Sequence, residues 1–147
     1  MSTIKRILLV EDSAKDIELT LAALQENHLA NEVVIARDGV EAMDFLHHRG
    51  KFAADPVDLP VVILLDLKMP RMNGLETLAV IKADPVLKMI PVVMLTSSRE
   101  EQDLIRSYQL GVNAYVVKPV DFQQFLVAIK TAGFFWAVIN EIPPKIV

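Results

Sequence analysis

Val61-Val62-Ile63-Leu64-Leu65-Asp66 is a run of apolar, partly β-branched residues that ends on a carboxylate. Apolar character without alternation marks a strand buried on both faces, as in a parallel sheet. Four further runs read the same way: Ile7–Val10, Val33–Ala36, Val92–Leu95 and Ala114–Val117. The segments between them carry apolar residues at helical spacing. These are Ile17, Leu21 and Leu24; Val40, Met43 and Leu46; Leu75, Leu78 and Ile81; Leu104, Ile105 and Tyr108; and finally Phe122, Phe125, Leu126 and Ile129. Strand and helix alternating five times predict an α/β fold: a doubly wound, five-stranded parallel sheet with flanking helices and right-handed crossovers. Ser13, Asp38 and Asp121 stand where helix N-caps belong. Pro85 follows the third helix, and Pro91 opens the fourth strand, where a missing N–H is tolerated.

The chain has 147 residues, which suits one domain with one core. Residues 49–60 form the one long irregular connection, read as a surface loop, and no repeat or second domain appears. The chain is 52% hydrophobic, yet its apolar runs fall far short of the roughly 20 residues a spanning helix needs. The short apolar run after Lys5 and Arg6 meets Glu11 and Asp12 too soon for a secretion signal. Membrane insertion is therefore not expected. The absence of cysteine removes disulfides, zinc-thiolate sites and thiol nucleophiles, and fits a reducing, cytoplasmic setting. A net charge of −4 without a basic cluster gives nucleic-acid binding no electrostatic support.

The chemistry lies in the residues at the end of each strand. Glu11 and Asp12 come after the first, Asp66 after the third, Thr96 after the fourth, and Lys118 and Pro119 after the fifth. An open parallel sheet collects these at its carboxyl edge, where such folds place their ligands. If the first and third strands are neighbours, three carboxylates converge, and crowded like charges resist joint ionisation. A hard divalent cation such as Mg2+, which takes oxygen ligands, relieves that repulsion. A nucleophilic carboxylate, a metal and a lysine suffice to form an aspartyl phosphate, because phosphoryl transfer depends chiefly on positioning and electrostatics.

Four segments resemble the receiver domains of two-component response regulators: I-L-L-V-E-D-S at Ile7–Ser13, L-L-D-L-K-M-P-R-M-N-G at Leu64–Gly74, M-L-T-S at Met94–Ser97 and A-Y-V-V-K-P at Ala114–Pro119. They occur in the family's order and spacing, and the resemblance runs from about Lys5 to Val138. It implies a single receiver domain of flavodoxin-like topology over residues 1–147, with Asp66 as phosphoacceptor. It implies that Asp12 binds Mg2+ directly, Glu11 through water, and Lys68 through its backbone carbonyl. Lys118 would pair with the phosphoryl group, through a cis bond to Pro119. Thr96 and Tyr115 would form the switch, and Ser98 with the Lys68 side chain would flank the attacking water. The implied partners are a sensor histidine kinase or phosphotransfer protein and an unidentified downstream protein. The long loop before the third strand, with F-F-W-A-V-I-N-E-I-P-P at 134–144, is similar to single-domain receivers paired with bacterial phytochromes.

The last helix has more apolar residues than one core-facing stripe needs. Phe134, Phe135, Trp136, Val138, Ile139 and Ile142 make its end and the tail at 134–147 apolar nearly all round. A helix apolar on all sides is buried on all sides. The expectation is a homodimer through the last two helices involving Phe122, Phe125, Phe134 and Trp136; packing of the tail onto its own domain is the alternative. His28, His47 and His48 offer no obvious closed metal site at helical spacing and read as solvated helix residues. An aspartate-nucleophile phosphatase of the haloacid-dehalogenase type usually has a second acid two residues after the nucleophile, where this chain has Lys68. A flavodoxin-like cofactor site fits poorly, because Glu11-Asp12-Ser13 is acidic and would repel a phosphate. With no effector segment after Val147, output is expected to run through a partner, through dimerisation or back to the kinase. The chain is expected not to be an enzyme but a phosphoacceptor that assists its own phosphorylation and autodephosphorylation.

Overall fold

The computed structural model describes residues 6–25, 32–54, 59–97, 101–118 and 121–132. Within them, strands β1 (Arg6–Val10), β2 (Glu32–Ala36), β3 (Val62–Asp66), β4 (Val92–Thr96) and β5 (Ala114–Val117) alternate with helices. The helices are α1 (Ala14–Gln25), α2 (Gly39–Leu46), α3 (Gly74–Ala83), α4 (Glu101–Gln109) and α5 (Phe122–Ala132). The strands form one parallel sheet in the order β2-β1-β3-β4-β5. The three inner strands are buried along their whole length, as their unbroken apolar runs require. Strands β2 and β5, at the edges, are only partly buried.

Side chains alternate across the sheet and divide the core into two layers. Leu8, Val10, Ile63, Leu65 and Met94 face one side, where they meet Met43, Phe45 and Leu46 of α2 and Leu78 and Ile81 of α3. Ile7, Leu9, Leu64, Val93 and Leu95 face the other, against Ile17 and Leu24 of α1 and Phe125 of α5. Asp38 caps α2 through the Glu41 amide, Asp121 accepts from the Gln124 amide at 2.8 Å, and Ser13 Oγ accepts from the Asp16 amide at 3.3 Å. At the amino edge, Asn113 Oδ1 accepts from the Val92 amide at 2.8 Å and from Lys82 Nζ at 3.3 Å, tying α3, β4 and the approach to β5 together.

Three features depart from the sequence reading. The 49–60 segment is not wholly irregular: Gly50–Phe52 form a short 3-10 turn, and Phe52 is buried edge-on to Phe45, their ring centroids 5.2 Å apart. Leu104, Ile105 and Tyr108 have helical spacing but lie exposed on α4, which turns Ser107 inward instead. Phe125, expected at a dimer face, is fully buried in its own chain beneath α5, because it sits on the helix stripe that covers Ile7 and Leu9. Phe122 is half-buried, while Phe134 and Trp136 lie outside the described residues.

Phe125→Ala should therefore cost about 3–5 kcal/mol of stability in urea unfolding. Val127→Ala, two residues along on the exposed side of α5, should stay within about 0.5 kcal/mol. Equal effects would contradict this assignment of the α5 faces.

Candidate functional site

The strand register decides which residues meet at the carboxyl edge. Val10 pairs with Leu65, Asp66 with Leu95, and Thr96 with Val117. Glu11 and Lys118 are the residues just beyond β1 and β5, and backbone bonds continue the sheet through them: the Glu11 amide donates to Ala36 O at 2.9 Å and the Lys118 amide to Thr96 O at 2.8 Å. Asp66 and Thr96 are the last residues of their strands rather than the first of the following loops. Strand geometry therefore fixes their backbones directly.

Lys118 stands at the centre of this edge. Its ammonium bonds Glu11, lies 3.1 Å from Asp66 Oδ1, and donates to Asp16 Oδ2 at 2.9 Å. Glu11 is 2% exposed and Asp66 6%, so neither carboxylate is well hydrated. Burial, with the negative charge of Asp66 adding to it, pushes Glu11 up from 4.5 to about 7 against the pull of Lys118. Burial likewise raises Asp66, again opposed by Lys118. For Lys118 itself burial favours the neutral form, but its bonds to Glu11 and Asp16 and the charge of Asp66 outweigh it and raise its pKa. The lysine is held charged by the acids it serves.

Asp12 is exposed beside this group, and carboxylate oxygens of Glu11, Asp12 and Asp66 lie within 4.8 Å of one another. Around Mg2+ at about 2.0–2.1 Å, ligand oxygens sit roughly 2.9 Å apart when adjacent and 4.2 Å when opposite. The spacing and the all-oxygen donor set fit a hard cation.

The loop after Asp66 is fixed tightly. The Gly74 amide donates to Leu67 O at 2.8 Å, and a Cβ on Gly74 would come within 2.3 Å of Asp66 O, so only glycine lets α3 start against the Asp66 backbone. Asn73 and Glu76 form a reciprocal capping box at that helix start. Lys68 is exposed on this loop, and Thr96 is buried at the end of β4. Tyr115 is half-buried on β5, opposite Met94. Ser98 and Pro119 lie outside the described residues. The sequence reading missed Asp16. Its clue was its place four residues past Asp12, in the first turn of α1, where a side chain reaches back towards the strand end.

A family model for the response regulator receiver domain matches residues 7–130. The chain belongs to that family. This receiver domain is 42% identical over 139 residues to the response regulator Rcp1 of Synechocystis sp., covering 95% of this chain and 93% of that protein. The structure of the bacteriophytochrome response regulator AtBRR superimposes with a TM-score of 0.86 at 58% identity, covering 95% of this chain and 100% of that one. The bacteriophytochrome response regulator RtBRR superimposes at 0.84 with 57% identity, covering 97% and 86% respectively. Rcp1 has been crystallised in a Mn(2+)-bound form. Among the described residues of the receiver, no helix is long and apolar enough to cross a membrane.

The raised acids give the metal-free receiver a definite pH response. Between 4.5 and about 7 the folded state keeps a Glu11 proton that the unfolded state has lost. Stability must then fall as pH rises through that window. Urea unfolding in EDTA should show a lower midpoint at pH 8 than at pH 5, and saturating Mg2+ should restore it at pH 8. A higher midpoint at pH 8 in EDTA would contradict the buried-acid reading.

Proposed function

We propose that Asp66 accepts a phosphoryl group from a histidine kinase or phosphotransfer protein, with Mg2+ bound, and that the change is read by a downstream protein at the surface around Thr96 and Tyr115. The observation that carries this reading is the Lys118 ammonium shared by Glu11, Asp16 and Asp66. It places a fixed positive charge within contact of the Asp66 carboxylate, where a phosphoryl group joined to that residue would need one. Asp66 supplies the attacking oxygen, and the bond from phosphorus to the donor's imidazole breaks as the new one forms. Lys118 moves part of its hydrogen bonding from the carboxylates to the incoming phosphoryl oxygens, a preorganised charge that needs little reorientation. Asp12 and Glu11, with the Lys68 backbone carbonyl, would hold the cation. When bound, it neutralises charge on the phosphoryl oxygens. Thr96, at the carboxyl end of β4, and Tyr115, two positions below it on the neighbouring β5, would carry the change outward.

The bacteriophytochrome response regulators and Rcp1 support a phytochrome-type kinase as donor, and the match over 93% of Rcp1 supports a role as a single-domain switch, for which a cytoplasmic setting is proposed. A homodimer is the proposed arrangement. It is supported by a groove of about 690 Å3 between α4, β5 and α5, lined by Tyr108, Tyr115, Val127 and Ala128, beside exposed Leu104 and Ile105. Apolar surface of that kind seldom stays uncovered.

Asp66→Asn should abolish incorporation of labelled phosphate from acetyl phosphate while leaving the circular dichroism spectrum unchanged; persistent labelling would refute the phosphoacceptor assignment. Val127→Asp should shift sedimentation towards the monomer, and an unaltered profile would refute the α4-β5-α5 dimer.

A further inference from the structure

The loop that leaves Asp66 contains a backbone anomaly outside the acidic cluster. The Met72 amide donates to Pro70 O at 2.7 Å, closing a three-residue turn whose central residue, Arg71, has φ 61°. That is the rare, strained form of such a turn, and it is occupied by a residue with a β-carbon. Backbone of this kind persists where its surroundings over-determine it.

The surroundings here are the start of α2. Arg71 Nε donates to Asp38 Oδ2 at 2.7 Å and Nη2 to Asp38 Oδ1 at 3.0 Å, a forked pair across 33 residues of sequence. The Asp38 side chain is 7% exposed, and its Oδ1 also accepts from the Glu41 amide at 2.9 Å as the α2 cap. Arg71 pulls Asp38 below its ordinary value despite burial, which opposes this. A second tie runs beside the first: the Gly39 amide donates to Met72 O at 3.1 Å. A Cβ on Gly39 would come within 2.1 Å of Thr77 Oγ1 and 2.7 Å of Met72 O, so the two segments touch backbone to backbone. An exposed ion pair between mobile side chains is worth little. This one differs because one partner is buried, capped and forked, and because it restrains an unusual turn.

We propose that Arg71 and Asp38 are positioning residues for the cation site: their ion pair locks the 67–74 loop to α2 and so holds the Lys68 backbone in place for metal binding. The inference rests on the metal reading of Asp12, Asp66 and Lys68 given above. Arginine is required for the fork, since a lysine offers a point charge without the planar pair of donors.

Two substitutions separate the clamp from general stability. Arg71→Gly removes the side chain while relieving the positive-φ strain, and Asp38→Asn keeps a good N-cap while removing the charge. Two measurements are made on the full chain: amide exchange at Gly39 and Met72, and calorimetric titration with Mn2+ alone. Each variant should exchange those two amides about tenfold faster than wild type, with the β3 amides unchanged. Each should bind Mn2+ about tenfold more weakly, the size typical of lost outer-shell support. The double variant should be no weaker than the weaker single one, because both remove one interaction. Unchanged exchange in both variants would overturn the clamp. Faster exchange with undiminished Mn2+ affinity would overturn its positioning role. Asp12→Asn is the control for the underlying reading: it should lose Mn2+ binding and leave exchange at Gly39 untouched. Full binding by that variant would place the fault in the metal assignment rather than in the clamp.

Discussion

The crowding of four carboxylates near one ammonium is the constraint on which the rest of this molecule depends. Glu11, Asp16 and Asp66 contact Lys118, Asp12 lies beside them, and the two acids nearest the core have almost no contact with water. Such a group cannot be neutral when every acid is ionised, so it holds a proton or takes up a cation. Removing Lys118 would leave buried acids uncompensated, a defect of about 3–5 kcal/mol for pairs of this kind. The sheet sustains the crowding because β1, β3 and β4 are buried along their whole length and supply the cohesion the edge lacks. The same crowding gives the edge an all-oxygen donor set that fits a hard cation.

How much of this could be read in the sequence depends on the range of each interaction. The strands are legible because unbroken apolar runs such as Ile7–Val10 and Val92–Leu95 have few other uses at that length. Once the strands are placed, Glu11, Asp12, Asp66, Thr96 and Lys118 fall at one edge by topology alone. Asp16 is harder, because an acid in the first turn of a helix is already explained by the helix dipole, and only the arrival of Lys118 from 102 residues away gives it a second use. The Arg71–Asp38 pair is invisible for the same reason: Asp38 reads fully as a cap. Phe52 escaped notice because a loop rich in proline and glycine conceals its one anchoring ring.

The two edges of the sheet are built differently. At the amino edge, Asn113 and Lys82 close neutral and singly charged hydrogen bonds onto backbone, and nothing there invites a ligand among the described residues. At the carboxyl edge the side-chain bonds to Lys118 each involve a charge that a ligand could claim. Gly39 and Gly74, each packed against another segment's backbone, bring α2 and α3 close enough to the edge for their starts to share its loops. Rigidity at one end and exchangeable bonds at the other allow the site to change partners while the core stays as it is.

The packing of α4 carries a consequence of its own. Ser107 is the one fully enclosed side chain among those described on this helix, and its hydroxyl bonds back to the Asp103 carbonyl rather than to the sheet. Leucine, isoleucine and tyrosine on the same helix point outward. A helix whose one enclosed side chain is a serine bonded within the helix forfeits little apolar burial when it tilts or frays, which puts it among the elements expected to open at low cost. A leucine in place of Ser107 would add apolar burial that any such tilt would then have to give up.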